Sequence, residues 1–463
     1  MKELFNVVNP FNGEIVGVAP VFSYDKIDDL INKSFDYKSP YDGKGRGELL
    51  LKIADALKTC KNEIASLMSN ESGISLSQTL NEVERSIVVL KEASATANKI
   101  DEIDLSSNYK SIFQHTAELT VISEPLDLVF AITPFNLPLH QVVGKIAPAI
   151  AAGTSIIVKP SEKTPLTALK FGDLLKQLGI SESFVKIITT NDPSKLVDKI
   201  ISDKRVQLIS YTGSVEIGKF LAKQIPNKGN ELCKFSAELG GNSVLVVMGD
   251  ADLKKAAEIC LEGAFGNSGQ RCTAIKRILV INSVVEEFKK ELLVLTKKLS
   301  YGDPMDINNK LGALVDENAA INVERRVNDA IDCGAELIFG NIREGAIFSP
   351  TILDHVNPIS ELVVKETFGP VAPIIRINNI EEAIEITNSV NFKLAGAIMT
   401  SNKDLAIYMA NNIKVGQFNW NNSPAYRTEV APFGGFYDSG NYYKEGVVSA
   451  TNEMRRIRTF YTH

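Results

Sequence analysis

The 463-residue chain is poor in cysteine, histidine and tryptophan, with five, four and one copies respectively. The cysteines, Cys60, Cys233, Cys260, Cys272 and Cys333, are scattered and odd in number. None stands in a CxxC pair, so neither a disulfide framework nor a zinc cluster is expected, and no metal is implied. No run approaches the ~18 consecutive apolar residues of a membrane span. The amino end, MKELFNVVNPFNGEIV, lacks the flanked apolar stretch of a signal peptide. A cytoplasmic protein with reduced thiols is the expectation. There is no block of Lys and Arg, and the net charge is −6, so neither a nucleic acid nor a membrane is an expected partner. The dinucleotide fingerprint GxGxxG is missing as well.

What is present is a soluble composition, 44% hydrophobic and 23% charged, on a chain too long for one core. Residues 22–100 space their apolar side chains at three- and four-residue steps, which predicts helices. After Asn108 the texture turns β-branched and aromatic, which predicts strands. Short apolar runs then alternate with helical segments: LDLVFAIT, TSIIVKP, FVKIITT and VQLISYTGS each precede one. That alternation predicts a parallel sheet covered on both faces, hence a doubly wound α/β fold. A second series, NSVLVVMG, RILVINS, VAPIIRI and LAGAIMT, predicts a second α/β domain. YGDPMDINNKLGALVDE reads as turn-rich surface loop, and the final RTFYTH as a strand.

Ligands of open α/β sheets collect at the carboxyl ends of the strands. Four consecutive strand ends of the first series carry polar or glycine-rich groups. They are Ile132-Thr133-Pro134-Phe135-Asn136, Lys159-Pro160-Ser161-Glu162, Thr212-Gly213-Ser214 and Leu239-Gly240-Gly241-Asn242. Lys159 and Glu162 suit ribose hydroxyls. Gly213 and Ser214, opening the helix that contains Gly218, suit a phosphate at a helix amino end. Gly and Ser at such junctions also serve as plain turns and caps; four in register favour a nucleotide.

The segments AITPFNLP, VKPSEKTP, YTGSVEIG, AELGGNS, GQRC, ETFGPV and APFGG…DSG occur in that order. As an ordered set they resemble the aldehyde dehydrogenase superfamily over nearly the whole chain. The resemblance implies a Rossmann-like cofactor domain over 1–105 and 125–238 and an α/β catalytic domain over 239–436. A small β oligomerisation arm would comprise 106–124 and 437–463, and homodimers or homotetramers would form. It makes Cys272 the nucleophile, Glu238 the general base and Asn136 an oxyanion donor. Ile132, Thr133, Pro134, Phe135, Lys159, Glu162, Gly213, Ser214, Gly218, Leu239, Glu366 and Phe368 would face the cofactor. A carboxylate at Glu162 would chelate the adenosine ribose and repel a 2′-phosphate, so NAD is expected rather than NADP.

The chemistry suits these residue types. An aldehyde carbon gives up hydride only once it is tetrahedral, and thiolate attack makes it so. The oxyanion formed needs donors aimed at it in advance, and a carboxylate can then activate water against the thioester. Arg271, directly before the thiol, would favour its anion. SGQRCTAIKR also resembles the branch acting on short anionic aldehydes, including non-phosphorylating glyceraldehyde-3-phosphate dehydrogenases. The tail YRTEVAPFGGFYDSGNYYKEGV resembles the phosphonoacetaldehyde and sulfoacetaldehyde members. Arg271, with Arg85, His140 and Arg427, would then grip a sulfonate, phosphonate or phosphate. Arg85 could instead pair with Glu82 or Glu84 on its own helix, and His140 could be core.

Two departures stand out. Tyr437 replaces a usual lysine and Tyr442 a usual glycine near the carboxyl end. Rival readings are glyceraldehyde-3-phosphate or succinic semialdehyde as substrate, a CoA-acylating dehydrogenase, and a catalytically silent protein on the same fold. Glu238 argues against CoA acylation; the intact Cys272, Glu238 and Asn136 argue against silence.

Overall fold

The computed structural model describes residues 3–99 and 118–462. An antiparallel hairpin, Leu4–Val8 with Ile15–Pro20, opens the chain. The helices Ile27–Asp36, Gly43–Thr59, Lys61–Ser72 and Leu76–Ala97 follow, where the apolar spacing predicts them. Asp42 caps the second by accepting from the Gly45 amide at 2.8 Å. Gly73, at φ 73°, ends the third in the left-handed conformation that glycine adopts without steric cost.

The first sheet has five parallel strands in the order Val185–Ile187, Ser155–Lys159, Leu128–Ile132, Leu208–Thr212, Lys234–Glu238. Leu128–Ile132 and Ser155–Lys159 are buried at every position, as expected of strands sandwiched between helices. One apolar cluster joins them to the helices Gly43–Thr59, Leu76–Ala97 and His140–Ala152; another joins the opposite face to Ile27–Asp36 and Pro193–Ile201. The sheet is therefore doubly wound.

The second sheet has seven strands in the order Glu336–Phe339, Thr351–Asp354, Val371–Ile377, Ile275–Ile281, Ser243–Val247, Ala395–Met399, Gln417–Trp420. All neighbours run parallel except the outermost, Glu336–Phe339, which is antiparallel to Thr351–Asp354. The short strands between 336 and 354 escape the sequence reading, because none carries a long apolar run. The loop expected on the surface differs too: Leu311, Ala313 and Leu314 are buried. Its Pro304 carbonyl accepts from the Leu76 amide at 2.8 Å, so the loop tethers the start of the Leu76–Ala97 helix.

At the carboxyl end, Arg455–Thr462 pairs antiparallel with Glu118–Pro125 over eight residues. Positions 106–117 of the expected arm lie outside the described residues. Tyr437 and Tyr442 both adopt positive φ, 54° and 73°. Tyr442 thus takes the glycine-like conformation without a glycine, its ring 5.5 Å from that of Phe436.

Candidate active site

The helix Leu253–Phe265 gives way to three successive left-handed residues, Asn267 (φ 58°), Ser268 (φ 52°) and Gly269 (φ 72°). Side chains hold this bend. Asn267 Nδ2 donates to the Asn136 carbonyl at 2.9 Å, and Ser268 Oγ to the Gly312 carbonyl at 2.9 Å. Gln270 Oε1 accepts from the Val315 amide at 2.9 Å. A Cβ at Gly269 would lie 2.0 Å from the Gly369 carbonyl oxygen, so only glycine fits there. Asn136 is buried, and its Nδ2 donates to the Gln270 carbonyl at 2.7 Å. The expected oxyanion amide is therefore fastened to the segment that carries Cys272, with one amide hydrogen left over.

Cys272 is partly buried. Burial pushes its thiol up to about 11, against the lowering influence of Lys276; Glu366 and Glu238 push the same way as burial, and Arg427 opposes them. Arg271 and an ionised Cys272 favour each other's charge, but the hydrogen bonds of the arginine go elsewhere. The Arg271 guanidinium turns to the end of the preceding helix, with Nη2 on the Glu262 carbonyl at 2.5 Å and Nη1 on its carboxylate at 3.4 Å. The cation with the largest influence on the thiol is Lys276. Its Nζ lies 2.9 Å from the Gly241 carbonyl, 2.7 Å from that of Arg271, 3.4 Å from that of Cys272 and 2.9 Å from Glu366 Oε1. The Gly241 amide also donates to Glu366 Oε1, at 3.0 Å.

Glu238 ends the last strand of the first sheet, is buried, and leaves Oε1 without a partner among the described residues. Burial, then the charge of Glu445, raises its carboxyl well above the ordinary range, against Lys145, Lys444 and Arg427. It therefore holds its proton more tightly than an exposed glutamate does. A Cβ at Gly434 would meet Glu238 Oε1 at 2.2 Å, so that glycine makes the carboxyl's room. Lys145 Nζ bonds Glu445 Oε1, which also accepts from Thr212 Oγ1 at 3.2 Å.

Three of the four residues expected at the substrate, Arg85, His140 and Arg427, gather around a carboxylate the sequence reading missed, and the charge of Arg85 reaches the fourth, Arg271. Glu429 Oε1 accepts from Arg85 Nε at 3.0 Å and Nη2 at 2.9 Å. His140 Nε2 and Arg427 Nη2 lie 3.7 and 3.9 Å from Glu429 Oε2. The pairing of Arg85 within its own helix does not occur: Glu84 binds Lys61, and Glu82 accepts from the Leu139 and His140 amides at 2.9 Å each. Burial, then Arg85 and Arg427, holds His140 well below its usual range, so the ring is neutral. Arg271 Nε is buried without a partner among the described residues. Burial and the charge of Arg85 destabilise its cation, against Glu262. Arg427 stacks 3.8 Å over the Phe433 ring.

The expected dinucleotide residues line the first sheet's carboxyl edge. Ile132 ends its strand; Thr133 follows, with a buried Oγ1 lacking a partner, and Pro134 leads to Phe135. Phe135 and Phe368 meet edge to face at 6.1 Å. Lys159 Nζ donates to Glu162 Oε2 at 3.0 Å. Burial works to raise the Glu162 carboxyl, but the Lys159 charge, the hydrogen bonds it accepts and the Lys163 charge together outweigh burial and hold the group below its ordinary value. Ser214 caps the helix Val215–Asn227 through the Ile217 amide, and a Cβ on Gly213 would strike the Tyr211 hydroxyl at 2.3 Å. Gly218 allows the helix to approach Leu239, whose Cδ2 would lie 2.3 Å from a Cβ there. A strand-end cradle with an ionised carboxylate, a capped helix amino end, an unpartnered Thr133 hydroxyl and two aromatic rings fits a dinucleotide.

Lys276, Glu429, Lys145 and Glu445 are the site residues that motif reading passes over. Lys276 left a trace: it is the second residue of the buried strand Ile275–Ile281, where a lysine needs a reason.

The sequence pattern described as the aldehyde dehydrogenase family matches residues 1–460. A lactaldehyde dehydrogenase of Methanococcus aeolicus is 34% identical over 459 residues, spanning 98% of this chain and 96% of the relative. A 3-sulfolactaldehyde dehydrogenase of Priestia aryabhattai is 32% identical over 457 residues, spanning 98% and 94%. The crystal structure of glyceraldehyde-3-phosphate dehydrogenase GapN from Methanocaldococcus jannaschii, complexed with NADP, superposes with a TM-score of 0.92 at 33% identity, spanning 100% and 99%. With the fold shared end to end and the whole length covered by these relatives, the chain belongs to the aldehyde dehydrogenase family.

Proposed function

We propose that this enzyme oxidises a short aldehyde bearing an anionic group, of the sulfoacetaldehyde or phosphonoacetaldehyde type, to the carboxylic acid. Cys272 attacks the carbonyl carbon, and the oxygen gains negative charge facing the Asn136 amide and the Cys272 backbone N–H. A nicotinamide dinucleotide, when bound, supplies the hydride acceptor that leaves the adduct as a thioester on Cys272. Lys159, Glu162, Gly213, Ser214, Glu366 and Phe368 would hold that cofactor, and NAD is the form that the Glu162 carboxylate favours. Glu238, once ionised, takes a proton from water as it attacks the thioester, releasing the acid and the thiol. Its raised pKa brings it toward the operating range of a general base.

The observation that carries the anionic substrate is Arg271. Its Nε is buried and unpartnered beside a second cation, Arg85. A sulfonate or phosphonate between the two would relieve both the missing bond and the like-charge contact. A neutral hydroxyaldehyde is the second reading, favoured by the grip of Glu429 on Arg85 and by similarity to a lactaldehyde dehydrogenase. Comparing kcat/KM for sulfoacetaldehyde, 3-sulfolactaldehyde, phosphonoacetaldehyde, glyceraldehyde 3-phosphate, succinic semialdehyde and lactaldehyde separates them. An anionic substrate should lead, and Cys272→Ser should abolish NADH formation. If lactaldehyde leads, the second reading holds. Assembly into a homodimer or homotetramer through the Arg455–Thr462 ribbon belongs to the same proposal.

A further inference from the structure

Three chain segments meet at one ammonium group. The Lys276 side chain is almost fully buried, yet its Nζ has four oxygen neighbours: the carbonyls of Gly241, Arg271 and Cys272, and Glu366 Oε1. An ammonium has three hydrogens, so these four share them. The Phe368 ring, two residues beyond Glu366, lies 5.3 Å from the same Nζ. Close packing locks the junction. A Cβ on Gly240 would come within 2.5 Å of Glu366 Oε2, and one on Gly241 within 2.0 Å of the Cys272 carbonyl oxygen. The Gly240–Gly241 backbone is thus threaded between the Glu366 carboxylate and the Cys272 peptide, and Lys276 closes the ring around it.

We propose that Lys276 is a positioning residue that couples Glu366 to Cys272: it fixes the peptides of the thiol loop and divides its charge between that loop and the Glu366 carboxylate. The inference rests on Cys272 as the nucleophile and concerns the protein's own residues. When Glu366 is drawn to another partner, such as ribose hydroxyls, more of the Lys276 charge acts on the sulfur. When Lys276 is absent, Glu366 has no route to the thiol except its own field. The charges acting most on Cys272 are those of Lys276, Glu366, Glu238 and Arg427. Arg271, although its bonds go to Glu262, also interacts with the charge of an ionised Cys272.

The test is alkylation of Cys272 by iodoacetamide across a pH series, without cofactor, followed by mass spectrometry of the Cys272 peptide. Only the thiolate reacts, so the profile reports the thiol's ionisation. In Lys276→Met the rate at fixed pH should fall about tenfold or more, one pK unit being a factor of ten in thiolate. In Glu366→Gln, which leaves Lys276 unneutralised, it should rise. In the double variant the Glu366→Gln gain should shrink to what the direct field of Glu366 accounts for. Equal gains in both backgrounds would mean that Glu366 acts on the sulfur directly, and would overturn the coupling. If Lys276→Met does not fold, Glu366→Gln decides: a profile unmoved or shifted toward alkaline pH overturns the proposal. Binding of NAD by the unreacted proteins, read by quenching of Trp420 fluorescence or by calorimetry, should weaken in Lys276→Met because Glu366 loses its anchor. Alkylation does not depend on turnover. A failed coupling therefore leaves the Cys272 assignment standing, whereas an active Cys272→Ser enzyme would sink that assignment alone.

Discussion

Arg271 and Glu162 each pose a question of partner choice. Arg271 is held by Glu262, whose carboxylate is largely exposed, and keeps Nε in reserve. Arg271→Leu should cost about 2–5 kcal/mol in kcat/KM for an anionic aldehyde, the range for truncating one side of a desolvated charge pair. A neutral aldehyde should lose far less, and equal losses would assign the arginine to the fold. Glu162 is ionised and 41% exposed at the side chain, so it can face a ribose while Lys159 holds it. NAD should give the higher kcat/KM, and Glu162→Gln should narrow its lead over NADP. Cys272, Glu238 and Asn136 stand out as candidates in the sequence because each sits in a motif whose order along the chain is informative. Glu429 and Glu445 were not: nothing local separates a glutamate that organises arginines from one that faces water. Their partners lie hundreds of residues away, Arg85 for Glu429 and Lys145 for Glu445.

Two helices begin on buried glutamates. Glu71 accepts from the Leu166 and Thr167 amides at 2.7 and 2.9 Å, at the start of Pro165–Gln177; Glu82 does the same for His140–Ala152. Burial raises both carboxyls from an ordinary 4.5 to about 7, although the amide bonds pull the other way. The folded state therefore holds these two protons more tightly than the unfolded chain does. Their contribution is fully present below pH 4.5 and is lost as pH rises through about 7. Replacing both with glutamine should flatten the decline in Tm between pH 5 and 8, seen by thermal melts across that window. An unchanged slope would mean that other groups set it. Tyr442→Gly offers a second test. A left-handed tyrosine costs of order 1 kcal/mol, so glycine should raise Tm unless the contact with Phe436 outweighs the strain. The helices and the buried parallel strands were legible from period and run length. The pieces between 336 and 354 were not, since two of them are only two residues long.

At the scale of the whole molecule, two largely parallel sheets bring Glu238, at the end of one, to Cys272, which precedes a strand of the other. The doubly wound pattern was readable because strands buried on both faces leave continuous apolar runs. Which loops would touch was not, because that depends on how the sheets dock. The ribbon Arg455–Thr462 leaves Ile457, Phe460 and Tyr461 exposed, with Ile457 at 70%. These exposed apolar side chains are where the proposed assembly would bury surface. Ile457→Asp with Phe460→Asp should lower the molar mass measured by light scattering while leaving the far-UV circular dichroism unchanged. A protein that is monomeric before substitution would refute assembly through this edge.

A thiol whose proton is held up to about 11 has a consequence for survival in air. Peroxide attacks the thiolate, and the first oxidation product, a sulfenic acid, forms in proportion to it. An idle enzyme therefore presents almost no sulfur anion to oxidants. Its vulnerability should be confined to the moments when it is armed for turnover.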